Sequence, residues 1–160
     1  MEKRRISFDL LVFDTLDELS NSEKALMQIA VEARENAYAP YSQFMVGAAI
    51  LLANEEIVIG NNQENAAFSG SLCAERVALF YANSCYKDIP VRAIAVTASN
   101  SQGITHEPVK PCGSCRQALL EAEVRFNQPV SIILEGRNKI QVFDGVDNLL
   151  PFAFKPDLLG

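Results

Sequence analysis

The sequence predicts a single α/β domain with three α/β/α layers, in which helices cover both faces of a mixed sheet of about five strands. Segments with apolar residues at helical spacing alternate with short runs rich in β-branched residues. The chain has 160 residues, of which 49% are hydrophobic, and this size and composition are typical of one compact domain. We assign the domain to residues 21–160 and treat residues 1–20 as an N-terminal extension.

The elements follow from local patterns. Apolar residues alternate with others between Ile6 and Val12 of the extension, which predicts an edge strand. A helix from Asn21, with Ser22 as its N-cap, must end near Pro40. The remaining patterns predict a hairpin of residues 46–52 and 56–59, helices over 73–81 and 113–124, and strands over 94–97, 130–134 and 140–143.

Charge and hydropathy exclude several classes of function. The net charge of −6 would repel a polyanion over most of the surface, so nucleic acid is not an expected partner. Apolar stretches fall well short of the roughly 20 residues that a membrane span requires. The basic residues near the N-terminus are followed by acidic residues, with no cleavage site of the secretory kind. We therefore expect a cytoplasmic protein with no membrane partner.

Two cysteine clusters carry the chemistry. Cys112 and Cys115 flank Gly113 and Ser114 at the predicted start of a helix. The N-terminus of a helix lowers the pKa of nearby thiols. This spacing alone fits either a redox dithiol or a metal site. Cys73 begins another helix, with Glu75 two residues later. Three thiolates and a carboxylate favour a catalytic zinc site, in which the fourth position remains open for water.

The other candidate ligands are poor. Cys85 lies twelve residues after Cys73, which is about 18 Å along a continuous helix. We interpret Cys85 as a small buried hydrophobic residue. His106, the only histidine, is in a polar loop and is expected to be exposed there.

The chain resembles the cytidine deaminases of the small, three-cysteine, homotetrameric kind. The pair of motifs Cys-Ala-Glu-Arg at 73–76 and Pro-Cys-Gly-Ser-Cys-Arg at 111–116 is specific to zinc deaminases. Further similar segments are residues 41–49, 60–65 and 149–154. Departures are Gln63, where Val is common, and Phe68, where Tyr is frequent.

The resemblance implies a role for each matching position. Zn²⁺ would be bound by Cys73, Cys112 and Cys115, and Glu75 would be the proton shuttle. The substrate would be contacted by Phe44, Asn62, Glu64, Ala74 and Phe154. Of these, Asn62 and Glu64 would hold the ribose 3′-hydroxyl, Phe44 would lie against the pyrimidine, and Phe154 would enter the site of a neighbouring subunit.

The chemistry of these residues agrees with the resemblance. Zinc lowers the pKa of bound water from 15.7 to about 7, so hydroxide becomes available to attack C4 of a cytosine ring. Glu75 would accept the proton and return it to the ring and the leaving amine. Arg76 would donate to a cysteine sulfur and offset the negative charge of three thiolates.

Plainer interpretations exist for single residues. Glu75 could be an ordinary acid in the first turn of a helix, and Asn62 and Glu64 could be turn residues. Phe44 and Phe154 could be core aromatics, and Arg76 could be a solvated helix charge.

Three functions remain open. The first is deamination of free cytidine and deoxycytidine to uridine and deoxyuridine, with release of ammonia, as in pyrimidine salvage. The second is deamination of another cytosine compound, such as an aminoacyl-nucleoside antibiotic or a nucleotide. The third is a non-enzymatic structural zinc module or a dithiol redox protein. The open fourth position and Glu75 count against the third.

Overall fold

The fold, described here from a computed structural model, has three α-helices and one seven-stranded sheet within residues 1–159. The structure describes residues 1–159, so Gly160, the last residue of the predicted domain, lies outside the described residues. The helices are α1 (Asn21–Arg34), α2 (Ala74–Cys85) and α3 (Gly113–Phe126). The strands are β1 (Leu11–Phe13), β2 (Met45–Leu52), β3 (Ile57–Asn61), β4 (Val91–Asn100), β5 (Gly103–Ile104), β6 (Ser131–Glu135) and β7 (Ile140–Asp144).

The sheet is mixed, with strand order β1-β7-β6-β4-β2-β3 and with β5 paired to β4. Strands β4 and β6 pair in parallel, while the other pairs are antiparallel. Helix α3 connects β4 to β6, as a parallel crossover requires. The sequence predicted about five strands in the domain and an edge strand in the extension. The short β1 lies in that extension but is shifted to residues 11–13, and the two-residue β5 was not predicted.

Helices cover both faces of the sheet, which confirms the predicted three-layer fold. Alternate residues of a strand point to opposite faces. Accordingly Ile50 and Val96 pack in one core cluster with α2 and α3. Ala49 and Ala95 pack in a second cluster with α1.

Two glycines bring helices close to the sheet. A Cβ atom on Gly47 would lie 2.1 Å from the carbonyl oxygen of Ala30 in α1. A Cβ atom on Gly60 would lie 2.5 Å from the carbonyl oxygen of Ala74 in α2. Only glycine allows backbone contacts as close as these. Gly60 therefore sets the distance of the first turn of α2 from β3.

Several boundaries differ from the prediction. The N-cap of α1 is Ser20, whose side chain accepts from the Glu23 N–H while the Glu23 carboxylate accepts from the Ser20 N–H. The prediction of Ser22 was wrong because this reciprocal capping box needs Glu at the third helical position. Helix α2 continues four residues past Tyr81, to Cys85, because no breaker interrupts it.

The extension forms β1 over only three residues, at the outer edge of the sheet beside β7. Among the described residues, none of the helices combines the length and the hydropathy that are needed to span a bilayer.

Candidate active site

The three predicted metal-binding cysteines come together where the N-termini of α2 and α3 meet. Cys73 is the N-cap of α2, Cys112 is the N-cap of α3, and Cys115 lies in the first turn of α3. The Sγ atoms of Cys73 and Cys112 are 3.8 Å apart, and those of Cys112 and Cys115 are 3.4 Å apart. All three sulfur atoms lie within 4.8 Å of one another.

These distances fit a zinc ion. Tetrahedral coordination with Zn–S bonds of about 2.3 Å separates the sulfur atoms by about 3.8 Å. Thiolates are also ligands that zinc prefers. Among the described residues, the cluster contains three cysteines and no fourth His, Asp or Glu, so its donor set matches a catalytic zinc site rather than a closed structural one.

Arg76 lies beside the thiols, as predicted. Its Nη2 atom donates to the Sγ atom of Cys73 at 3.8 Å. The pKa of the Cys73 thiol is lowered to about 5, because Cys115 donates a hydrogen bond to its sulfur and the Arg76 guanidinium is adjacent. The same contact raises the pKa of Cys115, which retains the proton. A thiolate is therefore already favoured at Cys73 before a cation is added.

Glu75 lies in the first turn of α2 and is only 5% exposed. Burial raises the pKa of its carboxyl group, and the negative charge of Cys73 raises it further. Glu75 lines the same cleft as Cys73 and Cys112. The carboxyl group is thus next to the thiol cluster without belonging to it, which is the arrangement expected of a group that transfers protons.

The cleft has a volume of about 480 Å³, within the usual range for small-molecule sites. Four of the five residues predicted to contact substrate line it, namely Phe44, Asn62, Glu64 and Ala74. Phe154 lies outside this lining in its own chain and is 57% exposed. A core position for Phe154 is therefore wrong.

Asn62 holds the segment that leads from Phe44 into β2. Its Oδ1 atom accepts from the Val46 N–H at 2.7 Å, and its Nδ2 atom donates to the Phe44 carbonyl at 2.9 Å. An amide oxygen accepts two hydrogen bonds and an amide nitrogen donates two. Asn62 therefore retains one donor and one acceptor position for a ligand.

The Glu64 carboxylate accepts hydrogen bonds from residues 41–42, for which the sequence predicted no role. The carboxylate accepts from the Tyr41 N–H at 2.8 Å, from the Ser42 N–H at 3.3 Å and from the Ser42 hydroxyl. These donors lower the pKa of Glu64, the Ser42 hydroxyl most of all. The role of Ser42 was missed, although it lies in one of the segments that resemble deaminases, because its partner is 22 residues away.

Arg116 and Gln117 connect the cysteine loop to the C-terminal segment, and sequence reasoning missed this also. Arg116 donates through Nε to the carbonyl of Pro111 at 2.7 Å and through Nη1 to the carbonyl of Leu149 at 2.6 Å. Gln117 donates to the carbonyl of Phe154 at 2.9 Å. Their position directly after Cys115 in the sequence could have indicated that they support the cysteine loop.

Lys110 is a further lining residue that was not predicted. It is exposed at the mouth of the cleft.

The predictions for the exposure of His106 and the burial of Cys85 have different outcomes. His106 is exposed, as expected, with a side-chain exposure of 72%. Cys85 is exposed rather than buried, because the longer α2 carries it to the helix C-terminus. Since α2 is continuous from Ala74 to Cys85, Cys85 is remote from the thiol cluster.

The chain is similar to known deaminases in sequence and in structure. Residues 20–127 match the family described as the cytidine and deoxycytidylate deaminase zinc-binding region. A cytidine deaminase from Halalkalibacterium halodurans is 48% identical over 96 residues, which cover 60% of this chain and 68% of the relative. A cytidine deaminase from Mycobacterium tuberculosis is 36% identical over 104 residues, covering 63% and 74% of the two chains.

A solved structure agrees with this similarity. The crystal structure of cytidine deaminase from Burkholderia pseudomallei matches with a TM-score of 0.73 and 37% identity, covering 85% of this chain and 100% of that one.

Proposed function

The chain belongs to the cytidine and deoxycytidylate deaminase family, and we propose that it deaminates free cytidine and deoxycytidine by zinc-dependent hydrolysis. The products are uridine or deoxyuridine and ammonia. The observation that carries this proposal is the placement of a buried Glu75 carboxyl group and a cluster of three thiols in one cleft of nucleoside size.

Cys73, Cys112 and Cys115 hold the zinc ion, and Arg76 reduces the net negative charge of the three thiolates by donating to Cys73. When bound, zinc supplies Lewis-acid chemistry that makes water a nucleophile at neutral pH.

Glu75 moves the protons of the reaction. Its carboxylate accepts a proton from the water whose oxygen forms a bond to C4, and it donates that proton to N3 of the ring. It then transfers the second proton from the same oxygen to the 4-amino group. The C4–N bond breaks, the C4 carbonyl forms, and ammonia leaves. One carboxylate therefore serves as both base and acid.

Phe44, Asn62, Glu64 and Ala74 bind the nucleoside. The Phe44 ring packs against the pyrimidine, and Ala74 lies beside it at the start of α2. The Glu64 carboxylate accepts three hydrogen bonds from the 41–42 segment and retains capacity for a fourth. That position and the free positions on Asn62 bind the ribose 3′-hydroxyl group.

A second candidate is deamination of a cytosine nucleotide. The exposed Lys110 at the mouth of the cleft favours it, because an ammonium group attracts phosphate. The negative charge of Glu64, whose pKa is lowered, and the net charge of −6 oppose it, and we therefore give preference to the free nucleoside.

The active enzyme is a homotetramer in which Phe154 enters the site of a neighbouring subunit. The exposed position of Phe154 outside its own cleft supports this arrangement. A cytoplasmic location follows from the need to keep three zinc-binding thiols reduced. The reaction belongs to pyrimidine salvage.

Ammonia release measures the substrate class directly. The purified protein is assayed with cytidine, deoxycytidine, their 5′-monophosphates and a single-stranded oligonucleotide at equal concentrations. We expect turnover of the two nucleosides and rejection of the other substrates. Equal turnover of a monophosphate or of the oligonucleotide would replace the nucleoside proposal with the nucleotide one.

A further inference from the structure

The C-terminal segment, residues 149–154, leaves two aromatic rings exposed. Phe152 is 90% exposed and Phe154 is 57% exposed. Ala153, which lies between them, packs against the core cluster between the sheet and helices α2 and α3, and Leu149 is buried in that cluster. The segment is thus attached to its own chain by aliphatic side chains, while both rings remain outside. Large apolar side chains that are exposed close together mark an interaction surface.

The backbone of this segment has a conformation that is unfavourable by itself. Phe152 has a φ of 59°, which lies in the left-handed region that a bulky residue rarely adopts. Such a conformation persists only where the surrounding structure imposes it. Contacts on either side of Phe152 must therefore fix the shape of the segment.

Two consecutive residues of α3 make these contacts. Arg116 donates through Nη1 to the carbonyl of Leu149 at 2.6 Å. Gln117 donates through its side-chain amide to the carbonyl of Phe154 at 2.9 Å. One bond lies before Phe152 and the other lies after it, so the two bonds hold both ends of the segment against α3.

The same helix turn also positions the cysteine loop. Cys115 directly precedes Arg116, and the Nε atom of Arg116 donates to the carbonyl of Pro111 at the start of that loop at 2.7 Å. Phe154, in contrast, lies outside the lining of its own cleft. Helix α3 therefore positions thiols for its own cleft and, through Gln117, a ring that its own cleft does not use.

We infer that Gln117 is a positioning residue that acts on the active site of another subunit. Its amide holds the Phe154 carbonyl, so that the Phe154 ring reaches the cleft of a neighbouring copy in one orientation. This role rests on the proposed entry of Phe154 into that cleft. A change at Gln117 should therefore alter substrate binding in the neighbour and leave the zinc site and the proton transfer of its own chain intact.

Replacement of Gln117 by glutamate removes the donor at nearly constant size, because a carboxylate only accepts hydrogen bonds. We expect Gln117→Glu to raise the KM for cytidine about two- to tenfold, the range for the loss of one neutral hydrogen bond. The kcat, zinc content and particle mass should be unchanged. Gln28→Glu, which also removes an exposed side-chain hydrogen bond, from Gln28 to Glu32 on α1, is the matched control. An unchanged KM, a lower kcat, or a loss of zinc or of mass would overturn the inference.

Mixed oligomers show which cleft Gln117 serves. A Gln117→Glu chain is co-expressed with an excess of a Glu75→Gln chain, which lacks a proton carrier but provides an intact C-terminal segment, and the oligomers are purified through a tag on the active chain. We expect the KM to return to that of the unchanged chain. In the reverse pairing, an unchanged chain with an excess of the Gln117→Glu/Glu75→Gln chain should show the raised KM. If the KM instead followed residue 117 of the active chain, Gln117 would act on its own cleft and the inference would be wrong.

Phe154→Ala in the same mixtures separates this role from the function on which it rests. A raised KM that an excess of Glu75→Gln chains restores would establish the shared cleft, and a different result for Gln117→Glu would then overturn only the positioning role. An unchanged KM for Phe154→Ala would refute the shared cleft and the role of Gln117 together. Absence of ammonia release from cytidine by the unchanged chain would refute the proposed function itself.

Discussion

Replacement of Glu75 by glutamine separates proton transfer from metal binding. The two side chains have nearly the same size, so the 5%-exposed position acquires no cavity. The sulfur atoms of Cys73, Cys112 and Cys115 form the metal cluster without Glu75. We therefore expect Glu75→Gln to retain one zinc ion per chain.

The expected loss of activity is large because the cleft offers no other carboxylate to replace Glu75 as the proton carrier. Within the described residues, the only two carboxylates that line it are Glu75 and Glu64. Glu64 already accepts hydrogen bonds from Tyr41 and Ser42. General acid–base catalysis contributes a factor of about 10²–10⁴ to a rate, which is about 2.7–5.5 kcal/mol of barrier. Since one carboxylate serves both proton transfers, we expect a decrease of about 10⁴ in kcat.

The assay combines metal analysis with ammonia release from cytidine. Glu121→Gln, which neutralises an exposed carboxylate on α3, is the matched control and should leave both quantities unchanged. Cys112→Ala removes one of three ligands and should lose both zinc and activity. If Glu75→Gln lost its zinc, Glu75 would be a ligand; if it retained full activity, the proton carrier would be another group. Either result would refute the mechanism.

Three further changes test the shared site and the fold. Phe154→Ala should raise KM for cytidine at unchanged zinc content, because its ring is proposed to complete a neighbour's cleft; an unchanged KM would argue against shared sites. Glu123→Ala should lower the free energy of unfolding by about 1–3 kcal/mol, measured by urea denaturation, because its carboxylate accepts from the N–H groups of Val130 and Val146 at 2.8 and 3.0 Å. Gly47→Ala should cost at least about 3 kcal/mol, seen as a lower Tm, because its Cβ would lie 2.1 Å from a backbone oxygen of α1; a Tm equal to that of the unchanged chain would contradict this packing.

The sequence by itself determined the elements and the chemistry of the site. Helical and alternating apolar periods are local properties, so the three helices and the central strands were predictable with small errors at their ends. The cysteine pair at the start of α3 was also predictable, because Cys112 and Cys115 are one helical turn apart and must share a face. Cys73 was proposed as the third ligand because it begins a second helix with Glu75 two residues later, and the resemblance to zinc deaminases agreed with that assignment.

Only the tertiary structure decided which distant groups meet. The Sγ atoms of Cys73 and Cys112 lie 3.8 Å apart although 39 residues separate them in the chain, and no local period encodes that distance. The hydrogen bonds from Ser42 to Glu64 and from Arg116 to Leu149 likewise join segments 22 and 33 residues apart. Short strands such as β5 exist because a neighbouring strand supplies their hydrogen bonds, and Cys85 is exposed because α2 continues beyond the core. These features depend on the packing of helices against a complete sheet, which is a property of the folded chain as a whole.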